Sequence, residues 1–137
     1  MSNWTDDMID YWRGRQVLLN EGTLIEMIAE TESLICYRFP GDFKELYLQA
    51  DGFATPGEAD WPFCMWSLER ITSEYLAHPT TDFIGFGEWI DTRTVIGFLK
   101  WKSGVYFQKQ PQIAVAGTFR ESLERMIDNE GQLQEES

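Results

Sequence analysis

Apolar positions along the chain follow two regimes. Up to residue 78 they recur mostly at helical spacing, and from residue 82 they run in short β-branched and aromatic segments. Met8, Tyr11 and Trp12 line one face of a short first helix. Thr23-Leu24-Ile25-Glu26 has the spacing of a capping box. Leu24, Met27, Ile28, Thr31 and Ile35 then share a face, which predicts a helix over 23–36. The stretch FPGDFKELYLQADGF (39–53) predicts the next one. Pro40 suits a first helical position, where an N–H would have no partner anyway. Asp42 sits where the helix dipole favours an acid. Phe43, Leu46, Tyr47 and Ala50 form one apolar face, and Gly52 can take the positive φ that stops the helix.

WPFCMW (61–66) reads as a strand, with Pro62 placing it at a sheet edge or strand start. Ser67 caps a further helix with Leu68, Ile71 and Tyr75 on its buried side, and His78-Pro79 ends it. Three strands follow: DFIGFGEWI (82–90), TVIGFLKW (94–101) and GVYFQK (104–109). Their breaks fall at Asp91-Thr92-Arg93 and at Lys102-Ser103-Gly104, the second with Gly104 left-handed. IAVAG (113–117) is a short last strand. Thr118-Phe119-Arg120-Glu121 is a second capping box, opening a helix with Phe119, Leu123, Met126 and Ile127 on one face. Beyond Asp128 the tail is polar, acidic and expected to fray. The order indicates a single α+β domain over 1–137, with a mainly antiparallel or mixed sheet of about four to six strands flanked by helices.

The composition supports a folded chain: 137 residues, 43% hydrophobic and 15% aromatic. A domain of this length buries roughly 68–70% of its unfolded surface. Charge changes the picture more. Eleven Lys and Arg against 23 Asp and Glu leave a net −12. Such a surface repels nucleic acid and anionic membrane and attracts a basic partner, although surplus acid also serves solubility alone. Cys36 and Cys64 are too few for a disulfide framework and read as small buried hydrophobes. The N-terminus lacks a basic region followed by an apolar run, and no apolar stretch reaches the ~18 residues of a membrane span. A cytoplasmic protein with reduced thiols is the default.

Catalytic chemistry has little to stand on. His78, the only histidine, sits beside Pro79 at a helix end, and no serine lies in G-x-S-x-G. Two distant cysteines and one histidine do not make a zinc site. GFGEWI lacks the third glycine of a dinucleotide loop and lies in a strand pattern, so its glycines read as a bend or bulge. No metal or cofactor is expected. Glu58 with Asp60, and Glu88 with Asp91, could serve a carboxylate-dependent hydrolase, but in so acidic a chain they read first as solvated charge.

Several of these stretches together resemble the SUKH superfamily. Pro40, Asp42, Phe43, Leu46, Tyr47 and Gly52 match its signature helix, with Phe39 in place of the usual leucine. MWSLERI (65–71) resembles its strand and following Ser-Leu-Glu-Glu helix start, with Arg70 for the second Glu. FIGFGEWIDTRTVIGF (83–98) resembles the strand pair of one branch, with Glu88 for Asp. GVYF (104–107) and the capped helix at 118–127 complete a resemblance over about 23–127. The resemblance implies a non-catalytic binding protein. Bacterial members typically act as immunity proteins that neutralise toxins, often nucleases or deaminases, and fungal members as regulatory scaffolds in cell-wall synthesis. A basic toxin domain is the partner that both charge and resemblance favour.

Local charge then nominates a binding surface. Residues 51–66 hold Asp51, Glu58 and Asp60 without Lys or Arg, flanked by Trp61 and Trp66. With the Glu88–Asp91 turn they form the candidate partner site, tryptophan anchors in a ring of acid. The hairpin around Lys100, Lys102 and Lys109 is its basic opposite. The competing role for both tryptophans is core filling.

Overall fold

In the computed structural model, residues 3–54, 61–78 and 82–129 are described. Five helices and five strands follow one another: α1 (Trp4–Gly14), α2 (Ile25–Ile35), α3 (Gly41–Tyr47), β1 (Phe63–Met65), α4 (Leu68–Ala77), β2 (Phe83–Trp89), β3 (Val95–Leu99), β4 (Lys102–Phe107), β5 (Gln110–Ala116) and α5 (Phe119–Asp128). The strands pair in chain order, β1-β2-β3-β4-β5, all antiparallel. This is the expected α+β domain. β2 to β5 form a meander joined by short turns, which local sequence alone can register.

One face of the sheet carries the aromatic core. Ile84 pairs with Phe98, and Ile96 with Phe107, and all four are buried. Phe43 from α3 and Phe119 from α5 close on this face, with ring centroids 5.8 and 6.0 Å from Phe98. Phe39, Phe43 and Tyr47 stack in succession at 4.1 and 4.0 Å. α3 thus lays Phe43, Leu46 and Tyr47 into the core, and Ala50, three residues past its end, is buried with them. Gly85 and Gly97 face each other on the opposite side of the sheet. There a Cβ on Gly85 would stand 2.9 Å from the Trp66 ring, so the glycine makes room for the indole. The register slips between Gly85 and Gly87, as expected of a bulge.

The caps at Ser67 and Thr118 hold: each side-chain oxygen accepts from the backbone N–H three residues on, Arg70 and Glu121 respectively. The box at Thr23 does not. Thr23 N–H donates to the Tyr47 carbonyl, and Gly22 is pressed so close to the Leu48 carbonyl that a Cβ there would stand 2.0 Å away. The chain is tied to the end of α3, and α2 begins only at Ile25, with Leu24 as an N-cap without a side-chain bond. α2 buries Ile28, Thr31 and Ile35, while Leu24 and Met27 are exposed at 65% and 49%. Its apolar face is therefore narrower than its sequence implied.

Two further expectations are corrected. The β3–β4 turn falls at Lys100-Trp101, and Gly104 keeps its positive φ of 108° inside β4, not in the turn. Cys36, the left-handed C-cap of α2, is exposed, whereas Cys64 is buried as expected.

Candidate protein-interaction surface

The short strand β1 organises the nominated residues. Its register pairs Phe63 with Trp89 and Cys64 with Glu88, and Ile90 N–H donates to the Pro62 carbonyl. Trp61 and Asp91 are thereby brought to one end of the sheet, and Trp66 and Glu88 to one region of it. Glu58 and Asp60 lie outside the described residues. Asp51, Trp61, Trp66, Glu88 and Asp91 do gather around β1, but in unequal roles.

Both tryptophans are interior. Trp61 is 5% exposed and Trp66 4%. Trp61 meets Tyr11 of α1 edge to face at 5.5 Å, with the Arg15 guanidinium 5.4 Å from its ring. Trp66 covers Gly85, and the Arg70 guanidinium lies 4.5 Å over its ring. Neither indole offers a partner an exposed anchor in this conformation; each holds a surface layer in place.

Asp51 is half-buried and structural in its contacts. Its Oδ1 accepts from Leu68 N–H at 2.8 Å, supplying an acceptor to the first turn of α4. Its backbone carbonyl accepts from Asn20 Nδ2 at 2.9 Å. Burial, opposed by the Leu68 hydrogen bond, raises its pKa above the ordinary carboxylate value. Beside it the Tyr47 hydroxyl donates to the Trp66 carbonyl at 2.5 Å, and burial pushes that phenol well above its usual range. The signature stretch thus ends in two hydrogen bonds that fix the start of α4.

Glu88 and Asp91 are the acids that reach the surface. Glu88 is paired with Arg70 at 2.6 Å, and Arg70 also reaches Glu74 at 3.4 Å. Two carboxylates therefore share one guanidinium that is itself stacked on Trp66. Asp91 is exposed in the β2–β3 turn, where its Oδ1 accepts from Thr92 N–H. Sequence reasoning did not assign Arg70 to this group; its i+4 spacing from Trp66 along the start of α4 was the available signal. Far along the sheet, Lys100 caps Tyr75 and Lys102 lies 5.8 Å from the Tyr106 ring, which keeps the basic hairpin apart from the acidic end.

A second surface feature lies between α1 and α5, an open cleft of about 950 Å³. Trp4, Met8 and Tyr11 form one wall and Ile127 the other, with Asp7 and Asp128 at its rim. Tyr11 belongs both to this cleft and to the Trp61 contact.

Among the described residues no three His, Cys, Asp or Glu side chains converge as a metal site, and no helix is long and apolar enough to cross a membrane. A five-stranded antiparallel sheet, a β2–β5 meander extended by β1, with one face filled by helices and its acid-rich end built on β1, is the class of fold. Residues 22–130 match the SMI1 / KNR4 family (SUKH-1), and the chain belongs to that family. Its members are generally non-catalytic and engage in protein–protein interaction. At the family level this supports an immunity-protein or SMI1/KNR4-type role. No curated protein matches the chain.

Proposed function

We propose that the protein is a cytoplasmic, non-catalytic immunity protein that binds and neutralises a cognate toxin with a basic surface, of which a nucleic-acid-cleaving enzyme is the best chemical fit. The observation that carries the reading is the coincidence of SUKH-1 membership with a net charge of −12. A nuclease must present cations to phosphates, and an acidic protein is steered to that same surface. The partner surface in this reading is the end of the sheet around β1. Asp91 and the surplus carboxylate of the Glu88–Arg70–Glu74 cluster supply charge there, with Trp61, Trp66 and Asp51 as the supporting frame; Glu58 and Asp60 are assigned to the surface from sequence.

The test is co-expression with the product of the neighbouring gene. A toxic product whose effect is relieved by this protein, through a complex that survives purification, supports the reading; a neighbour that is harmless or unrelieved sinks it. A regulatory scaffold of the other family type would have no toxin beside its gene. Charge reversal then maps the face. Glu58→Lys with Asp60→Lys should slow association at low salt, and the difference should narrow as salt screens it. If that variant associates at the wild-type rate while Lys100→Glu with Lys102→Glu abolishes binding, the interface is at the hairpin.

A further inference from the structure

We propose that the α1–α5 cleft seats a lysine- or arginine-bearing segment of the protein partner. The inference rests on the reading of the protein as a binder of a basic partner, and adds a surface that the β1 end does not include. Three observations carry it. The first is the cleft's chemistry: aromatic and apolar walls from Trp4, Tyr11, Met8 and Ile127, with carboxylates of Asp7 and Asp128 at the rim. Neither rim acid has a cation within ion-pair distance among the described residues. Among the described lining residues the one cation, Arg120, is engaged by Glu124 at 3.0 Å.

The second is that the wall already accepts a cation. The Arg120 guanidinium lies 5.5 Å from the Trp4 ring, so an aromatic face and a carboxylate together hold an arginine at this site. Tyr11 likewise carries a guanidinium, that of Arg15, 5.7 Å from its ring, so an incoming cation would be held by the rim carboxylates of Asp7 and Asp128, with its aliphatic stem along the apolar wall of Met8 and Ile127. A second copy of this chain, at −12, is a poor occupant by charge. The third is continuity. Tyr11 packs against the buried Trp61, so the cleft wall and the frame of the β1 end are in direct contact. α1 precedes the 22–130 family match, so one wall of the cleft is built from residues outside the matched region.

The experiment uses the full chain and the tripeptide Ac-Arg-Leu-Lys-NH2, followed by NMR. Saturable shifts confined to residues 4–11 and 120–128 are expected. Asp7→Asn with Asp128→Asn should weaken binding roughly threefold to tenfold, the scale of two surface charge contacts. Glu26→Gln with Glu30→Gln removes as much charge from exposed positions on α2 and should leave binding unchanged. Shifts spread without saturation over all acidic surfaces, or equal weakening by both pairs, would overturn the proposal. The same variants are then tested against the neighbouring toxin. If the wild-type protein does not bind that toxin, the functional reading fails and the peptide result still decides the cleft. If the wild type binds and the Asp7/Asp128 variant binds equally well, the cleft is not its docking site.

Discussion

A half-buried carboxylate at the start of a helix experiences two opposed effects, and Asp51 shows which wins. The Leu68 N–H favours its charged form, but burial outweighs it and raises the pKa. The folded state therefore holds the Asp51 proton more tightly than the unfolded chain does. Its contribution to stability is complete below the ordinary carboxylate value and is lost as pH rises through the folded value. Asp51→Asn keeps an oxygen for Leu68 N–H and removes the charge. Relative to wild type, the variant should gain stability as pH rises above the ordinary carboxylate range and level off once pH passes the raised folded value. Urea unfolding across that range measures it, and a difference that is flat or falls with pH would contradict the balance described. The two cysteines provide a second contrast at this scale. Burial pushes the Cys64 thiol up to about 11, whereas Cys36 is exposed. At mildly alkaline pH a thiol reagent should label Cys36 in the native protein and reach Cys64 only after denaturant is added.

At the scale of the element, α3 is the best determined part of the chain. Phe43, Leu46 and Tyr47 are fully buried. Leu46→Ala should cost about 2–5 kcal/mol in denaturant unfolding, and a loss below about 0.5 kcal/mol would be that of a surface site. Ser67→Ala removes the acceptor for Arg70 N–H and should cost about 1 kcal/mol. These elements were legible because their signals are local, proline and acid at one end and a single apolar stripe after it; Gly52 takes the expected positive φ, but α3 ends earlier, at Tyr47. α2 was less legible for the opposite reason. Leu24 and Met27 extend its stripe, but α4 packs on the side that bears Ile28, Thr31 and Ile35, and no local signal says where α4 will lie. Thr23 was misleading because its N–H is claimed by Tyr47, a contact across 24 positions of chain. Gly104 marked a positive φ correctly, yet a twisted strand beside a register shift can hold that conformation as well as a turn can.

Across the whole molecule, pairing of β1 with β2 across the intervening α4 brings Asp51, Trp61, Trp66, Glu88 and Asp91 into one neighbourhood, whereas the sequence nominated them from local charge alone. The sequence did not separate frame from surface, since an indole beside acids has the same pattern whether it faces inward or outward. The α1–α5 cleft was out of reach, because only tertiary packing joins residues 4–11 to residues 120–128.

That packing also bears on where the domain begins. The family match starts at residue 22, yet Met8, Ile9, Trp12 and Val17 are all in the core. Trp12 is 1% exposed and meets Phe53 edge to face at 5.0 Å, and Leu19 bridges to Phe53. Gln49 Nε2 further donates to the buried Thr5 hydroxyl at 2.7 Å. Segment 3–21 therefore covers core surface that the matched region cannot cover by itself. Trp12→Ala should cost about 3–5 kcal/mol, a large part of the ~5–15 kcal/mol that holds a typical domain folded. Deletion of residues 1–21 should do more, leaving Phe53 and Trp61 facing water. If the segment is integral to one cooperative unit, tryptophan fluorescence and far-ultraviolet circular dichroism should report a single coincident unfolding transition in the intact chain. The shortened chain should be aggregated or lack that transition. A deletion variant that unfolds at the wild-type denaturant midpoint would make α1 an accessory, and the domain would then begin where the family match does.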